Sequence, residues 1–160
     1  MKITNEFNYR CALEILKSKY PVVLKEIYDL LNDSNFKLLD NPKGNNSYSR
    51  QIQNKFVENY DRWEIEASCF SANELRYDLR KGCVPVEIEI GHQRVVYADF
   101  FEFMADYANG IIDVAIMVVT DNPIQFGHKW HCSVESTKRK INSIKSIYSV
   151  PTLILGLSRD

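Results

Sequence analysis

The chain has 160 residues, 45% of them hydrophobic and 26% charged, which reads as one soluble globular domain over residues 1–160 with one core. A formal net charge of −1 excludes nucleic-acid binding by overall charge, so any such binding must rest on local basic clusters. The four cysteines (Cys11, Cys69, Cys83, Cys132) include no CxxC pair, and neither the start nor the longest apolar stretch, residues 111–119, fits a signal peptide or a membrane span; a cytoplasmic protein without disulfide or zinc framework is expected.

Apolar positions Phe7, Cys11, Leu13, Ile15 and Leu16 predict a first helix over residues 7–18. Pro21 opens a second, with Val22, Val23, Leu24, Ile27, Leu30 and Leu31 at helical spacing. Residues 40–47 form a turn-rich loop, and Ile52, Phe56 and Val57 mark a third helix over 49–60. Residues 63–70 read as a strand, and 77–79 with 84–90 as a β-hairpin. Phe100, Phe103, Met104 and Tyr107 predict a helix over 97–109, with Gly110 where a left-handed C-terminal cap belongs. A buried strand over 111–120, a helix over 135–148 and a strand over 151–157 complete the chain. Strand, helix, strand, helix, strand implies parallel crossovers and hence an α/β fold, a mixed β-sheet flanked by helices on both faces.

The most informative run is Pro85-Val86-Glu87-Ile88-Glu89-Ile90-Gly91, whose first glutamate lies nine residues beyond Asp78 in Tyr77-Asp78-Leu79-Arg80-Lys81. Alternation puts Val86, Ile88 and Ile90 on one face of a strand and Glu87 and Glu89 on the other. Like charges side by side repel, which leaves two readings: a solvated face, or a face that holds a cation. With Asp78 across the turn, three carboxylates could converge on one point, an oxygen-only set suited to Mg²⁺.

An acidic hairpin followed by helix, strand, helix and strand resembles the core of PD-(D/E)XK nucleases. Asp78 followed by Glu87-Ile88-Glu89 is similar to the arrangement in the BglII and BamHI type of type II restriction endonuclease, in which Glu or Gln replaces the usual lysine. Gly91-His92, residues 112–116, residues 149–157 and Asn45-Asn46-Ser47-Tyr48 leading to Trp63 resemble segments of the BglII branch as well. The resemblance covers nearly the full chain, although BglII-like enzymes continue into a C-terminal subdomain beyond the point matching Leu157. It implies a restriction-endonuclease-like core with Asp78, Glu87 and the Ile88 carbonyl as metal ligands for one or two Mg²⁺. Glu89 stands where the lysine would be, and Glu66 takes the position of a further catalytic residue, with Glu64 as the weaker choice.

The implied activity is Mg²⁺-dependent hydrolysis of phosphodiester bonds in double-stranded DNA, with a cognate DNA methyltransferase as partner in the same system. A symmetric target would call for a homodimer. Two other readings stand beside it: a structure-specific or repair nuclease on the same core, and a DNA-binding module that does not cut. Elsewhere, His128-Lys129-Trp130-His131-Cys132 reads as a loop near bound DNA rather than a metal site. His92 reads as a turn residue, Lys138, Arg139 and Lys140 as a solvated helix face, and Asp113 as a structural carboxylate.

Overall fold

The computed structural model describes residues 1–40, 42 and 46–159; residues 41 and 43–45 of the 40–47 loop lie outside the described residues. Among the described residues, six strands form one mixed sheet. The chain runs β1 (Lys2–Tyr9), α1 (Ala12–Lys19), α2 (Pro21–Leu31), α3 (Tyr48–Asn59), β2 (Glu64–Ser68), β3 (Arg76–Lys81), β4 (Val84–Ile88), α4 (Val96–Ala108), β5 (Ala115–Thr120), a 3-10 turn (Pro123–Phe126), α5 (Val134–Ser143) and β6 (Thr152–Ser158). Strand order across the sheet is β1-β6-β5-β4-β3-β2. β2, β3 and β4 pair antiparallel, whereas β4, β5 and β6 are parallel and joined through α4 and α5.

The helix expected over 7–18 is split. Residues 2–9 form an edge strand antiparallel to β6, and its exposure alternates with a period of two. Ile3, Phe7 and Tyr9 satisfy that period as well as Phe7, Cys11 and Ile15 satisfy a helix, and pairing to β6 decides in favour of the strand. Arg10 and Cys11 turn the chain through the left-handed region (φ 51° and 60°) into α1. The strand expected from residue 111 begins at Ala115, so Asp113 stands before it. There Asp113 accepts hydrogen bonds from Lys19 Nζ (2.9 Å) and Tyr20 Oη (3.0 Å), a satisfied structural carboxylate. α5 ends at Ser143, short of residue 148.

The two faces of the sheet carry separate apolar clusters. One packs Leu16, Ile27, Leu31, Ile52 and Phe56 of α1–α3 on Val84, Val86 and Ile88. The other packs Phe100 and Phe103 of α4 and Ile141 of α5 on Tyr77, Met117 and Ile154. Each fully buried side chain of this size contributes about 1.5–3 kcal/mol, so central strands buried on both faces are the anchor on which the hairpin sits. Lys81 ties that hairpin to α2 through Glu26 (2.6 Å), which also accepts from Trp63 Nε1 (2.8 Å). Arg80 lies over the Phe70 ring (4.1 Å) and pairs with Glu64 (2.9 Å). These two cations beside Asp78 are therefore occupied structurally.

Candidate active site

Residues 77 and 79 of a regular strand should share a face. Here Tyr77 stacks on Phe103 under α4 (5.9 Å between ring centroids), while Leu79 belongs to the opposite cluster. The chain thus rolls over at Asp78. The pairing of Ile65 with Leu79 and of Ala67 with Tyr77 sets Glu66 across from that point, and Glu66 itself has φ 51°. A left-handed glutamate costs roughly 1–2 kcal/mol, and strain of this kind clusters where a side chain must be aimed.

The roll aims the Asp78 carboxylate at the end of β4. Asp78 Oδ2 accepts from the Ile88 backbone N–H (2.8 Å), and Oδ1 accepts from Gln53 Nε2 (2.6 Å). Glu87 Oε2 accepts from the Asp78 backbone N–H at 3.4 Å. The Ile88 carbonyl accepts from Ser49 Oγ (2.5 Å). Glu66 accepts from Arg50 Nη2 (3.2 Å) and faces Asp78 electrostatically, whereas Glu64 is turned to Arg80. Asp78, Glu87 and Ile88 are thus joined by direct hydrogen bonds, with Glu66 across the strand pair.

Glu87 is 6% exposed, so the solvated-face reading does not hold for it. It lies on the α4 side of the sheet, where Asp99 and Glu102, both 7% exposed, act on it by charge. Glu87 Oε1, Asp99 Oδ2 and Glu102 Oε2 are all buried without a protein partner. Burial is the leading cause that raises each pKa, and mutual repulsion adds to it. Asp78 moves to about 6, Glu89 and Glu102 to about 7, Asp99 to about 8, and Glu87 well above its ordinary value. A buried, unpaired carboxylate oxygen beside a backbone carbonyl suits a hard divalent cation, so these residues fit Mg²⁺. Among the described residues no three His, Cys, Asp or Glu side chains make a metal cage by themselves. The three-carboxylate convergence expected from spacing is replaced by Asp78 and Glu87 with the Ile88 carbonyl as the set that could hold a cation.

Glu89 lies just past β4, its backbone N–H donating to Val118 O (2.9 Å). The Gly91 backbone N–H favours its ionised form, and a Cβ at residue 91 would stand 2.5 Å from Glu89 Oε1. Gly91→Ala is therefore expected to displace the Glu89 carboxylate and to lower cleavage about 10- to 100-fold with little change in melting temperature. Unchanged turnover in that variant would show that the placement of Glu89 is immaterial. Lys140 on α5 has its ammonium buried without a hydrogen-bond partner, and Glu89 and Lys140 favour each other's charged forms. This lysine is not part of a plain solvated face.

The raised carboxyl pKa values fix a sign for stability. Each such group stabilises the metal-free fold fully below its unfolded pKa near 4, and that contribution is lost as pH rises through about 6 to 8. The melting temperature of chelator-treated protein should fall between pH 5.5 and 8.5, and Asp99→Asn should reduce that fall. A flat profile in the wild type would contradict the burial of these acids.

Residues outside the hairpin also mark the site. Asp99, Glu102 and Asp106 recur along the stripe of α4 that also carries Phe103, and acids within an apolar stripe mark a polar site under a helix. Gln53 sits between Ile52 and Phe56 in the same way. Asp106 proves structural, accepting from the Phe70 and Ser71 N–H groups and the Tyr77 hydroxyl. His128 stacks on Trp130 (4.5 Å between centroids) in the loop before α5, and His92 bridges to His131.

A mixed sheet whose antiparallel hairpin brings Asp78 and Glu87 together, with parallel strands behind, defines the class: a nuclease of the restriction-endonuclease fold. The family model for restriction endonuclease BglII/BglIII matches residues 4–157, and the chain belongs to that family. It is accordingly a type II restriction deoxyribonuclease. Among solved structures, the chain is similar to restriction endonuclease BglII complexed with a DNA 16-mer, with a TM-score of 0.73 and 18% identity. That match covers 100% of this chain and 78% of the other. No curated protein matches the sequence significantly.

Proposed function

We propose that the protein is a Mg²⁺-dependent, sequence-specific endonuclease that hydrolyses phosphodiester bonds in double-stranded DNA from the Asp78–Glu87 site. The observation that carries this reading is the buried, unpartnered Glu87 Oε1, on a carboxylate whose other oxygen accepts from the Asp78 N–H. Asp78, Glu87 and the Ile88 carbonyl would hold the cation, which supplies charge stabilisation for the phosphate and acidifies water. Glu89, with a pKa near 7, is suited to take a proton from the attacking water at neutral pH. The Gly91 backbone and Lys140 favour the ionised form of that carboxylate. Glu66, held by Arg50, completes the site at the edge of the hairpin. The retained acids favour cutting over a binding-only role, because a non-catalytic scaffold gains nothing from buried carboxylates that repel.

No helix among the described residues is long and apolar enough to cross a membrane. The reading implies a cytoplasmic enzyme in which one domain carries the chemistry, with a cognate methyltransferase protecting the host sites. A homodimer of about 37 kDa, twice 18.6 kDa, is the simplest way to cut both strands of a symmetric site. Tyr97 and Phe101, one helical turn apart on α4 and 45% and 58% exposed, offer an apolar face for that contact. Sedimentation should show the dimer with and without duplex; monomer alone under both conditions would contradict it. DNA binding should weaken steeply with salt.

The functional test is incubation of plasmid DNA with purified protein and Mg²⁺, with sequencing of the fragment ends. Uniform ends at one short sequence support the proposal. Ends scattered without sequence preference, or cutting confined to branched or damaged duplex, would support the structure-specific or repair reading instead.

A further inference from the structure

Helix α3 belongs to neither the hairpin nor the parallel strands, yet three of its side chains each take hold of a different part of the candidate site. Ser49 Oγ donates to the Ile88 carbonyl (2.5 Å), Arg50 Nη2 to Glu66 Oε1 (3.2 Å), and Gln53 Nε2 to Asp78 Oδ1 (2.6 Å). The spacing explains how one helix does this. Residues 49 and 53 lie four apart, one above the other on the same face, and 50 is the next position round. Ser47 caps the helix, accepting from the Arg50 N–H, and Ile52 and Phe56 bury its apolar stripe fully in the core. The polar face is therefore fixed in rotation and height over the ends of β3 and β4.

Gln53 is 2% exposed, and burying an amide costs free energy unless its hydrogen bonds are made. Packing alone would be served better by leucine at that volume. An ionised carboxylate only accepts hydrogen bonds, so Gln53 must present its NH₂ to Asp78, which leaves Gln53 Oε1 buried without a protein partner. The arrangement is that of outer-shell groups that orient metal ligands, whose loss typically weakens metal binding about 10- to 100-fold.

We propose that α3 is a clamp for the cation site. Gln53 fixes the Asp78 carboxylate and Ser49 fixes the Ile88 carbonyl, and both act as positioning residues for the divalent metal. This rests on the metal-dependent reading above and deepens it by naming the helix that holds the ligands in place. Each ligand has one other hold, the Ile88 N–H on Asp78 Oδ2 (2.8 Å) and the Ile90 N–H on the Ile88 carbonyl (3.2 Å), and α3 supplies the second. Gln53→Glu keeps the length but removes the donor that Asp78 needs, so it should behave as Gln53→Leu does. Ser49→Thr keeps the hydroxyl and should keep its function, whereas Ser49→Ala should not.

The test is calorimetric titration of Mn²⁺ into metal-free protein, together with the metal-concentration dependence of cleavage. Gln53→Leu and Gln53→Glu should bind Mn²⁺ about 10- to 100-fold more weakly than the wild type. Ser49→Ala should lose less, and Ser49→Thr should match the wild type. Raising the metal concentration should restore most of the turnover, and the melting temperature of metal-free Ser49→Ala should barely change. Absence of Mn²⁺ binding by the wild type would sink the metal-dependent reading itself. Binding by the wild type with equal affinity in Gln53→Leu would overturn the clamp alone. If Gln53→Leu does not fold, equal affinity in Ser49→Ala does so, as does a loss of turnover that excess metal fails to relieve.

Discussion

Alanine at Asp78 or at Glu87 is expected to lower DNA cleavage by about 10³-fold or more while DNA binding persists. Each loss removes a ligand from a site whose charge stabilisation is worth several kcal/mol, and about 1.4 kcal/mol is a tenfold change in rate. The two variants should differ in stability. Asp78 is bonded to Gln53 and to the Ile88 N–H, so its removal leaves two donors unpaired and destabilises the fold. Glu87 has one oxygen with no partner and one long bond at 3.4 Å. Its isosteric Glu87→Gln variant should melt no lower than the wild type in the absence of metal at pH 8, where repulsion among the acids is greatest. Cleavage assays, gel shifts and melting curves on these variants separate catalysis from folding. Robust cutting by Asp78→Ala or Glu87→Ala in Mg²⁺ would end the assignment of the site.

Glu89→Lys installs the residue found at this position in the wider nuclease group, and it is expected to reduce turnover at least about 100-fold rather than improve it. Burial and Asp78 work against an anion at residue 89, and two neighbours work for it. The Gly91 backbone N–H favours its ionised form, and the Lys140 ammonium, buried and without a hydrogen-bond partner, acts on it by charge. A lysine at 89 would set two ammonium groups against each other and face an N–H donor it cannot accept from. Glu89→Gln keeps an acceptor for Gly91 and should retain its position, losing the proton-accepting step alone. Near wild-type turnover by Glu89→Lys would show that this position is electrostatic filler.

The sequence was most readable where local pattern and tertiary setting agree. The alternation from Val86 to Ile90 gave β4 and its two faces, and Pro21 and Gly110 fall where a helix start and a helix end need them. Residues 7–9, the end of edge strand β1, fall within the helix expected over 7–18 because Phe7, Cys11 and Ile15 fit a period of four, while the strand's partner β6 lies some 150 residues away in the chain. Propensity carries no information about so distant a pairing. The site divided in the same way. Asp78 and Glu87 could be placed by the hairpin that joins them, since register across a two-residue turn is fixed locally. Gln53, Ser49, Asp99 and Glu102 reach the same place from helices on opposite faces of the sheet, and only the folded sheet brings them there. Gln53, Asp99 and Glu102 stand beside apolar helical positions in the sequence and are marked by that, whereas Ser49 carries no such mark. The roll at Asp78 with the left-handed Glu66 opposite had no counterpart in the sequence, because nothing about a glutamate announces a positive φ.

The central claim, that Asp78 and Glu87 jointly hold the divalent cation, is tested most directly by metal binding itself. Mn²⁺ titrated calorimetrically into metal-free protein at pH 8 should bind to the wild type and to Asp113→Asn, whose carboxylate is committed to Lys19 and Tyr20. It should fail to bind to Asp78→Ala and Glu87→Ala. Equal binding by the wild type and both of these variants would place the metal elsewhere and contradict the account.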